Sequence, residues 1–313
     1  MHSFVALFTL RFASFLPAPL DMKVNPNRAA SAPHVRKATY TLKDMYQGQS
    51  FLDEWDFFSQ SDPTNGLVDY QTKQAATSQG LAYVQADGTT ILKVDNTTIL
   101  QSGQNRASVR ISSKTQYSSG LFIADIYSMP HGCSVWPAYW SVGPDWPNAG
   151  EIDVIEGVNQ QDLNQYTLHT GSGCSLTNAQ VASGRGVRSK KPDTRSYGHN
   201  FNLAAGGVYA HLLADDGISI WFFSRDEIPA DITSQSPDPS SWSTPSAFFP
   251  STSCSISDHF YDHSLTIDTT LCGDWAGAAY GGACPGTCAD AVADPSNFDS
   301  AHWALNYIAV YQS

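Results

Sequence analysis

The sequence predicts an all-β protein, a sandwich or barrel of many short strands joined by tight turns. Three observations carry this. Apolar residues alternate, or run in short β-branched and aromatic stretches, as in Ser108-Val109-Arg110-Ile111-Ser112 and Leu121-Phe122-Ile123-Ala124-Asp125-Ile126-Tyr127. Strand-like residues 209–213 and 218–223 flank Asp215-Asp216-Gly217, which reads as a hairpin turn. With 23 glycines and 17 prolines in 313 residues, turns are plentiful and long helices are not expected. The length fits one large β domain or two small ones. No internal repeat and no interdomain linker is visible, so residues 38–313 are expected to form one domain.

Taken in order, residues 1–37 differ from the rest. A short apolar run at residues 4–10 is followed by the small residues Ala29-Ala30-Ser31-Ala32. This predicts a signal peptide of atypical form, without a leading basic residue and interrupted by Arg11, or a pro-segment ending at Arg36-Lys37. Its removal takes away five basic residues and one acid. The remainder carries 12 positive against 28 negative side chains, or −16, against −12 for the whole chain. A negative chain argues against nucleic acid and anionic membranes as partners and fits a neutral polymer. No apolar run approaches the length of a membrane span.

The chemistry concentrates in Gly150-Glu151-Ile152-Asp153-Val154-Ile155-Glu156-Gly157. Its β-branched residues predict a strand. Regular alternation puts Glu151 and Asp153 on one face and Glu156 on the other. A β-bulge near Val154-Ile155 returns Glu156 to the first face. Three acids in a row raise at least one pKa, since ionising one opposes ionising the next. A protonated and an ionised carboxylate side by side is the requirement of glycosidic bond cleavage. Just upstream, Trp136, Tyr139, Trp140 and Trp146 offer flat faces to sugar rings, with at least one of Trp136 and Trp140 expected in the core.

Further along, residues 167–170 place His169 on a neighbouring strand. The segment between Cys174 and Tyr197 is basic, with Arg185, Arg188, Lys190, Lys191 and Arg195, and reads as a solvated surface. Residues 234–246 read as a surface loop, and Trp303-Ala304-Leu305-Asn306-Tyr307-Ile308-Ala309-Val310-Tyr311 as a long closing strand. Trp275 either lines a cleft or packs over a disulfide. Arg110 either binds a sugar hydroxyl or pairs with an acid. The six cysteines lack paired C-x-x-C spacing and clustered histidines, which excludes a zinc site and favours three disulfides, with fifteen connectivities open. The sequon Asn96-Thr97-Thr98 is compatible with secretion.

The acidic stretch, preceded by Trp136-Pro137-Ala138-Tyr139-Trp140 and Asp145-Trp146-Pro147-Asn148-Ala149-Gly150, resembles glycoside hydrolase family 16. The extra residue before Glu156 resembles its laminarinase branch; lichenases lack it. The resemblance is closest to secreted fungal endo-1,3(4)-β-glucanases. It continues through Thr167-Leu168-His169-Thr170, Cys272-Gly273-Asp274-Trp275-Ala276-Gly277 and Cys284-Pro285-Gly286-Thr287-Cys288. It implies a concanavalin-like β-jelly-roll sandwich of two curved antiparallel sheets with a concave substrate cleft. It implies a retaining endo-β-glucanase acting on β-1,3 and mixed β-1,3/1,4 glucans, extracellular or in the cell wall. Glu151 is then the nucleophile, Glu156 the general acid/base and Asp153 their modulator. Trp136, Trp140, Trp146, His169, Trp275 and Arg110 would bind substrate. No cofactor or metal is expected, and the protein is expected to be a monomer. The alternatives are a non-catalytic β-glucan-binding lectin-like module and a cell-wall glucan transglycosylase.

Overall fold

A computed structural model describes residues 39–174, 180–181 and 193–313, with residues 180–181 described by backbone. The expected signal or pro-segment at 1–37, and Arg185, Arg188, Lys190 and Lys191 of the basic stretch, lie outside the described residues. Arg195 is within them. It forms ion pairs with Asp193, Asp226 and Glu227 at 2.9–3.2 Å, so it is tied to its own surface.

Among the described residues the architecture is two antiparallel sheets, a jelly-roll sandwich, as expected. The larger, nine-stranded sheet is built on Gly120–Ser128, Gly207–Ala214, Gly217–Ser224 and His302–Gln312, with Thr41–Gln47 also paired to His302–Gln312. The smaller sheet has six strands in the order Thr167–His169, Glu151–Glu156, Val135–Val142, His263–Leu271, Arg110–Tyr117 and Trp55–Phe57. The expected hairpin is present: Ala214 pairs with Gly217, leaving Asp215-Asp216 as a two-residue loop. Helices among the described residues are at most six residues long.

Two expectations need correction. Residues 108–112 are not one strand. Arg106–Ser108 pairs in parallel with Val68–Tyr70, while Arg110–Tyr117 pairs antiparallel in the six-stranded sheet. The chain changes partners at Val109, whose side chain is buried in the core, while the Ser108 hydroxyl donates to the Thr269 carbonyl at 2.7 Å. Nor is the 234–246 segment only a surface loop. Trp242 stands edge-on to Trp221, 5.2 Å between centroids, and caps a small apolar cluster on the far face of the larger sheet.

The main core lies between the sheets. Ile152, Val154 and Ile155 from the acidic strand meet Phe122, Tyr209, Ile220 and Ile308 in it. His211 is also there, buried and stacked flat on Phe122 with centroids 4.4 Å apart. Burial, helped by His263, lowers its pKa from 6.5 to about 3. A depressed folded pKa means that the unfolded chain takes up the proton first as pH falls. The stability is therefore present above about pH 6.5 and lost as pH falls toward 3, by up to about 5 kcal/mol. His211→Phe is expected to flatten the fall of unfolding free energy between about pH 6.5 and 4 in urea titrations. An unchanged slope would acquit His211 of acid lability.

The six cysteines resolve into Cys133–Cys284, Cys174–Cys254 and Cys272–Cys288, with none free. Two of these bracket the site. Cys133 precedes the Val135–Val142 strand, and Cys272 precedes the turn Gly273–Gly277 that carries Trp275.

Candidate active site

The acidic strand hydrogen-bonds to Val135–Val142 on one side and to Thr167–His169 on the other. Along the first neighbour, Asp153 faces Trp140 and Ile155 faces Tyr139, so Val154 has no partner. That is the β-bulge the spacing requires. Its consequence is direct: Val154 and Ile155, adjacent in sequence, both enter the core, and Glu156 returns to the face of Glu151 and Asp153. Gly150 leads into the strand at φ +81°, and a Cβ there would lie 2.4 Å from the His259 carbonyl oxygen. Only glycine fits both the conformation and the space.

The three acids line a cleft of about 660 Å³ on the side of the sheet away from the core. Trp136, Trp140, Trp146, His169, Trp275 and Arg110 line the same cleft, whereas Tyr139, expected to offer a further face to sugar, alternates inward and is buried in the main core. The His169 Nε2 lies 3.6 Å from both Glu151 Oε1 and Asp153 Oδ2. The Trp136 indole donates to Glu156 Oε1 at 3.1 Å, and the Thr167 hydroxyl to Oε2 at 3.4 Å. Trp136 and Trp275 meet edge to face at 5.5 Å. Trp275 therefore forms cleft wall although it follows a disulfide. Trp146 is 59% exposed, the most solvent-accessible ring of the group. Neither Trp136 nor Trp140 belongs to the core, contrary to expectation. Both are half-buried because each indole N–H is spent on a carboxylate at the cleft.

Sequence reasoning missed Asp268. It stands on His263–Leu271, opposite Arg110 on one neighbour and Ala138 on the other. It accepts from the Trp140 indole at 2.9 Å and from the Tyr70 hydroxyl at 3.0 Å. The available signal was a lone acid in the alternating run Leu265-Thr266-Ile267-Asp268. The Arg110 guanidinium lies between the rings of Phe58 and Trp140, at 4.7 and 5.0 Å. No carboxylate is within ion-pair distance of it among the described residues. Its charge acts through space on Glu151 and Asp268.

Burial dominates the electrostatics. It raises Glu151 from 4.5 to about 7, opposed by the Trp146 indole N–H and by Arg110. It raises Glu156 from 4.5 to about 7 as well, opposed by the Trp136 indole and reinforced by the charges of Glu151 and Asp268. Asp153 is pushed well above the carboxylate range, by burial first and then by Glu156 and Glu151. Burial lowers the His169 pKa, which favours the neutral ring. Cooperative proton holding of this kind is characteristic of acid–base machinery. Glu151, Asp153 and His169 also bring ligand atoms within 4.8 Å of one another, a donor set a divalent ion accepts.

A second depression, over the far sheet at Phe222, Asp231 and Trp242, lacks comparable chemistry. One Asp231 oxygen is already bound by the Trp242 indole at 2.8 Å and the Asp238 N–H at 2.6 Å.

Residues 55–311 match the family described as "XgeA-like, catalytic GH16 domain". The chain is 41% identical over 301 residues to an endo-1,3(4)-β-glucanase of Arthroderma benhamiae, covering 88% of this chain and 65% of that protein. It is 41% identical over 300 residues to a probable glycosidase of Schizosaccharomyces pombe, covering 90% of this chain and 71% of that protein. Against a glucanase homologue of Neosartorya fischeri it spans 47% of that protein's length. Among solved structures, laminarinase 16A from Phanerochaete chrysosporium, with β-glucans in donor and acceptor sites, superposes with a TM-score of 0.82 at 40% identity. The match covers 88% of this chain and all of that one. An elongating GH family 16 β-1,3-glucosyltransferase superposes with a TM-score of 0.80 at 41% identity over the same share of each chain.

Proposed function

The chain belongs to glycoside hydrolase family 16, and from that premise we propose that it is a secreted, retaining endo-β-glucanase cleaving β-1,3 and mixed β-1,3/1,4 glucans. On this reading residues 38–313 are the catalytic domain and residues 1–37 a signal or pro-segment. The observation that carries the proposal is the bulged row Glu151, Asp153, Glu156, turned to one cleft face and walled by tryptophans. Three inward-held acids have no use in a lectin-like module. In a double displacement one carboxylate attacks the anomeric carbon while the other protonates the leaving oxygen and then takes a proton from water.

Local charge supports the roles that the family resemblance implies. Arg110 favours the ionised form of Glu151, whereas the Glu151 charge itself opposes ionisation of Glu156. We place the single negative charge at intermediate pH on Glu151, as the nucleophile, and the remaining proton on Glu156, as the general acid. Asp153, protonated between them, modulates both. His169 is the neutral partner on the neighbouring strand. The aromatic walls take the apolar faces of the glucose rings.

The pH dependence follows with a definite sign. The pair must lose its first proton to free the nucleophile and keep its second to serve the leaving group. kcat/KM is expected to follow a bell, its alkaline limb falling above about pH 7 as Glu156 deprotonates. Activity sustained through pH 9 would remove Glu156 from the acid role.

The deciding experiment is product analysis on laminarin, lichenan and xyloglucan, with NMR of the anomer first released. Shorter laminarin fragments of β configuration support the proposal. Inversion, or no cleavage of any β-glucan, overturns it. Products longer than the substrate would favour the transglycosylase reading, which the similarity to an elongating glucosyltransferase keeps in view.

A further inference from the structure

The bulge that returns Glu156 to the cleft falls where the acidic strand loses its second neighbour. Val154 is unpaired toward Val135–Val142, and on the other side the ladder ends at Asp153 with Thr167. The Val154 carbonyl and the Glu156 N–H therefore need a partner from elsewhere, because buried backbone groups are almost never left unpaired. One side chain serves both. The Asn164 Oδ1 accepts from the Glu156 N–H at 3.0 Å, and its Nδ2 donates to the Val154 carbonyl at 2.8 Å. A carboxamide has the donor and acceptor of a peptide unit, so Asn164 replaces the missing stretch of neighbouring strand. The residue is fully buried, and its own N–H donates to the Ser196 hydroxyl at 3.2 Å. The next residue completes the clamp: the Gln165 N–H donates to the Glu156 carbonyl at 3.0 Å.

We propose that Asn164 is a positioning residue for catalysis, holding the bulge closed so that the Glu156 carboxyl points at the glycosidic oxygen. The inference rests on the acid/base role proposed for Glu156. In the first step Glu151 forms a bond to the anomeric carbon while the bond to the leaving oxygen breaks, and that oxygen takes the Glu156 proton. In the second, Glu156 takes a proton from water as water displaces Glu151. Both steps need the Glu156 carboxyl placed to within a fraction of an ångström. Few other side chains can serve as the clamp. Serine is too short to span both groups, glutamine is a methylene too long, and ionised aspartate has no donor for the Val154 carbonyl.

The test separates positioning from general support. Laminarin has a sugar hydroxyl as leaving group and needs the acid. A dinitrophenyl β-laminaribioside needs none, and added azide replaces the water that needs a base. For Asn164→Ala the laminarin kcat should drop on the order of 10–100-fold with KM little changed. Turnover of the dinitrophenyl substrate in azide should stay within about threefold of wild type. Equal losses on both substrates would make Asn164 a structural residue and overturn the inference, as would undiminished laminarin turnover. Glu156→Ala runs alongside. If azide fails to stimulate it, the role of Glu156 falls and the clamp with it. If azide stimulates Glu156→Ala but not Asn164→Ala, the clamp alone falls. Asn164→Asp provides a second reading should the alanine variant not fold. Its neutral acid both donates and accepts, its carboxylate only accepts, and burial raises its pKa. Its laminarin kcat relative to wild type should therefore decline roughly tenfold from about pH 5 to about pH 8, with circular dichroism unchanged. A constant ratio across that range counts against the clamp.

Discussion

Glu151→Gln is expected to abolish glucan turnover while leaving the fold and oligosaccharide binding intact. The substitution keeps the size and hydrogen-bonding shape of the side chain but removes the nucleophilic oxygen. The loss should reach at least about 10⁴-fold, the upper end of what one acid–base group contributes, because the covalent route itself is closed. Folding should not suffer. Glu151 is a half-buried carboxylate whose pKa is raised to about 7, so its ionised form is held at a cost that the neutral amide avoids. The linkage has a definite sign. A raised folded pKa contributes stability that is present below about pH 4.5 and lost as pH rises through 7. At pH 8 the variant should therefore unfold at higher urea than wild type. Binding of laminarioligosaccharides measured by calorimetry completes the test. Near-wild-type hydrolysis by the folded variant would end the assignment of Glu151 as nucleophile.

The second large effect is expected from register. A one-residue slip sends every later side chain of a strand to the opposite face. Inserting an alanine after Val154 forces either a wider bulge or a Glu156 that points into the core now occupied by Ile155. Turnover should fall on the order of 10²–10⁴-fold, the contribution of a general acid. Deleting Val154 behaves differently. It leaves Glu151, Ile152, Asp153, Ile155 and Glu156, a regular alternation with all three acids toward the cleft and no bulge. That variant should retain measurable activity. It also loses a fully buried valine, worth about 2 kcal/mol, and one of the two groups held by Asn164. Laminarin assays on both variants, with circular dichroism as the control for folding, decide the matter. Should the insertion match wild type, or the folded deletion be as inactive as Glu156→Ala, register does not place the acid.

These expectations show how unevenly the molecule is written in its sequence. The all-β class, the hairpin at Asp215-Asp216 and the bulge within the acidic strand follow from local rules: side-chain alternation, turn chemistry, and the parity conflict between Asp153 and Glu156. That conflict is visible in six residues because a strand has a period of two, and apolar Val154 and Ile155 cannot both face the core without a bulge. Convergence of His169 and Trp275 on the same cleft follows from motif resemblance, while Arg110 follows from strand alternation, which leaves sugar binding and pairing with an acid equally open. What the chain could not announce were relations between residues far apart in it. The disulfide pairs are one case, since fifteen connectivities satisfy the same spacing. Asp268 is another: it is 115 residues from Asp153, and only the pairing of its strand with Val135–Val142 brings it under the Trp140 indole. Even the exposure of Trp136 and Trp140 went against their average burial, because acids on neighbouring strands claim their N–H groups. Asn164 is the last case. It lies within ten residues of Val154, yet a lone asparagine in a loop has no pattern. Only the folded sheet, with its ladder ended at Asp153, creates the unpaired carbonyl and N–H that give its amide a purpose. Periodicity is a property of neighbours along the chain, whereas hydrogen-bond satisfaction and burial are settled across space, after the strands have found their partners.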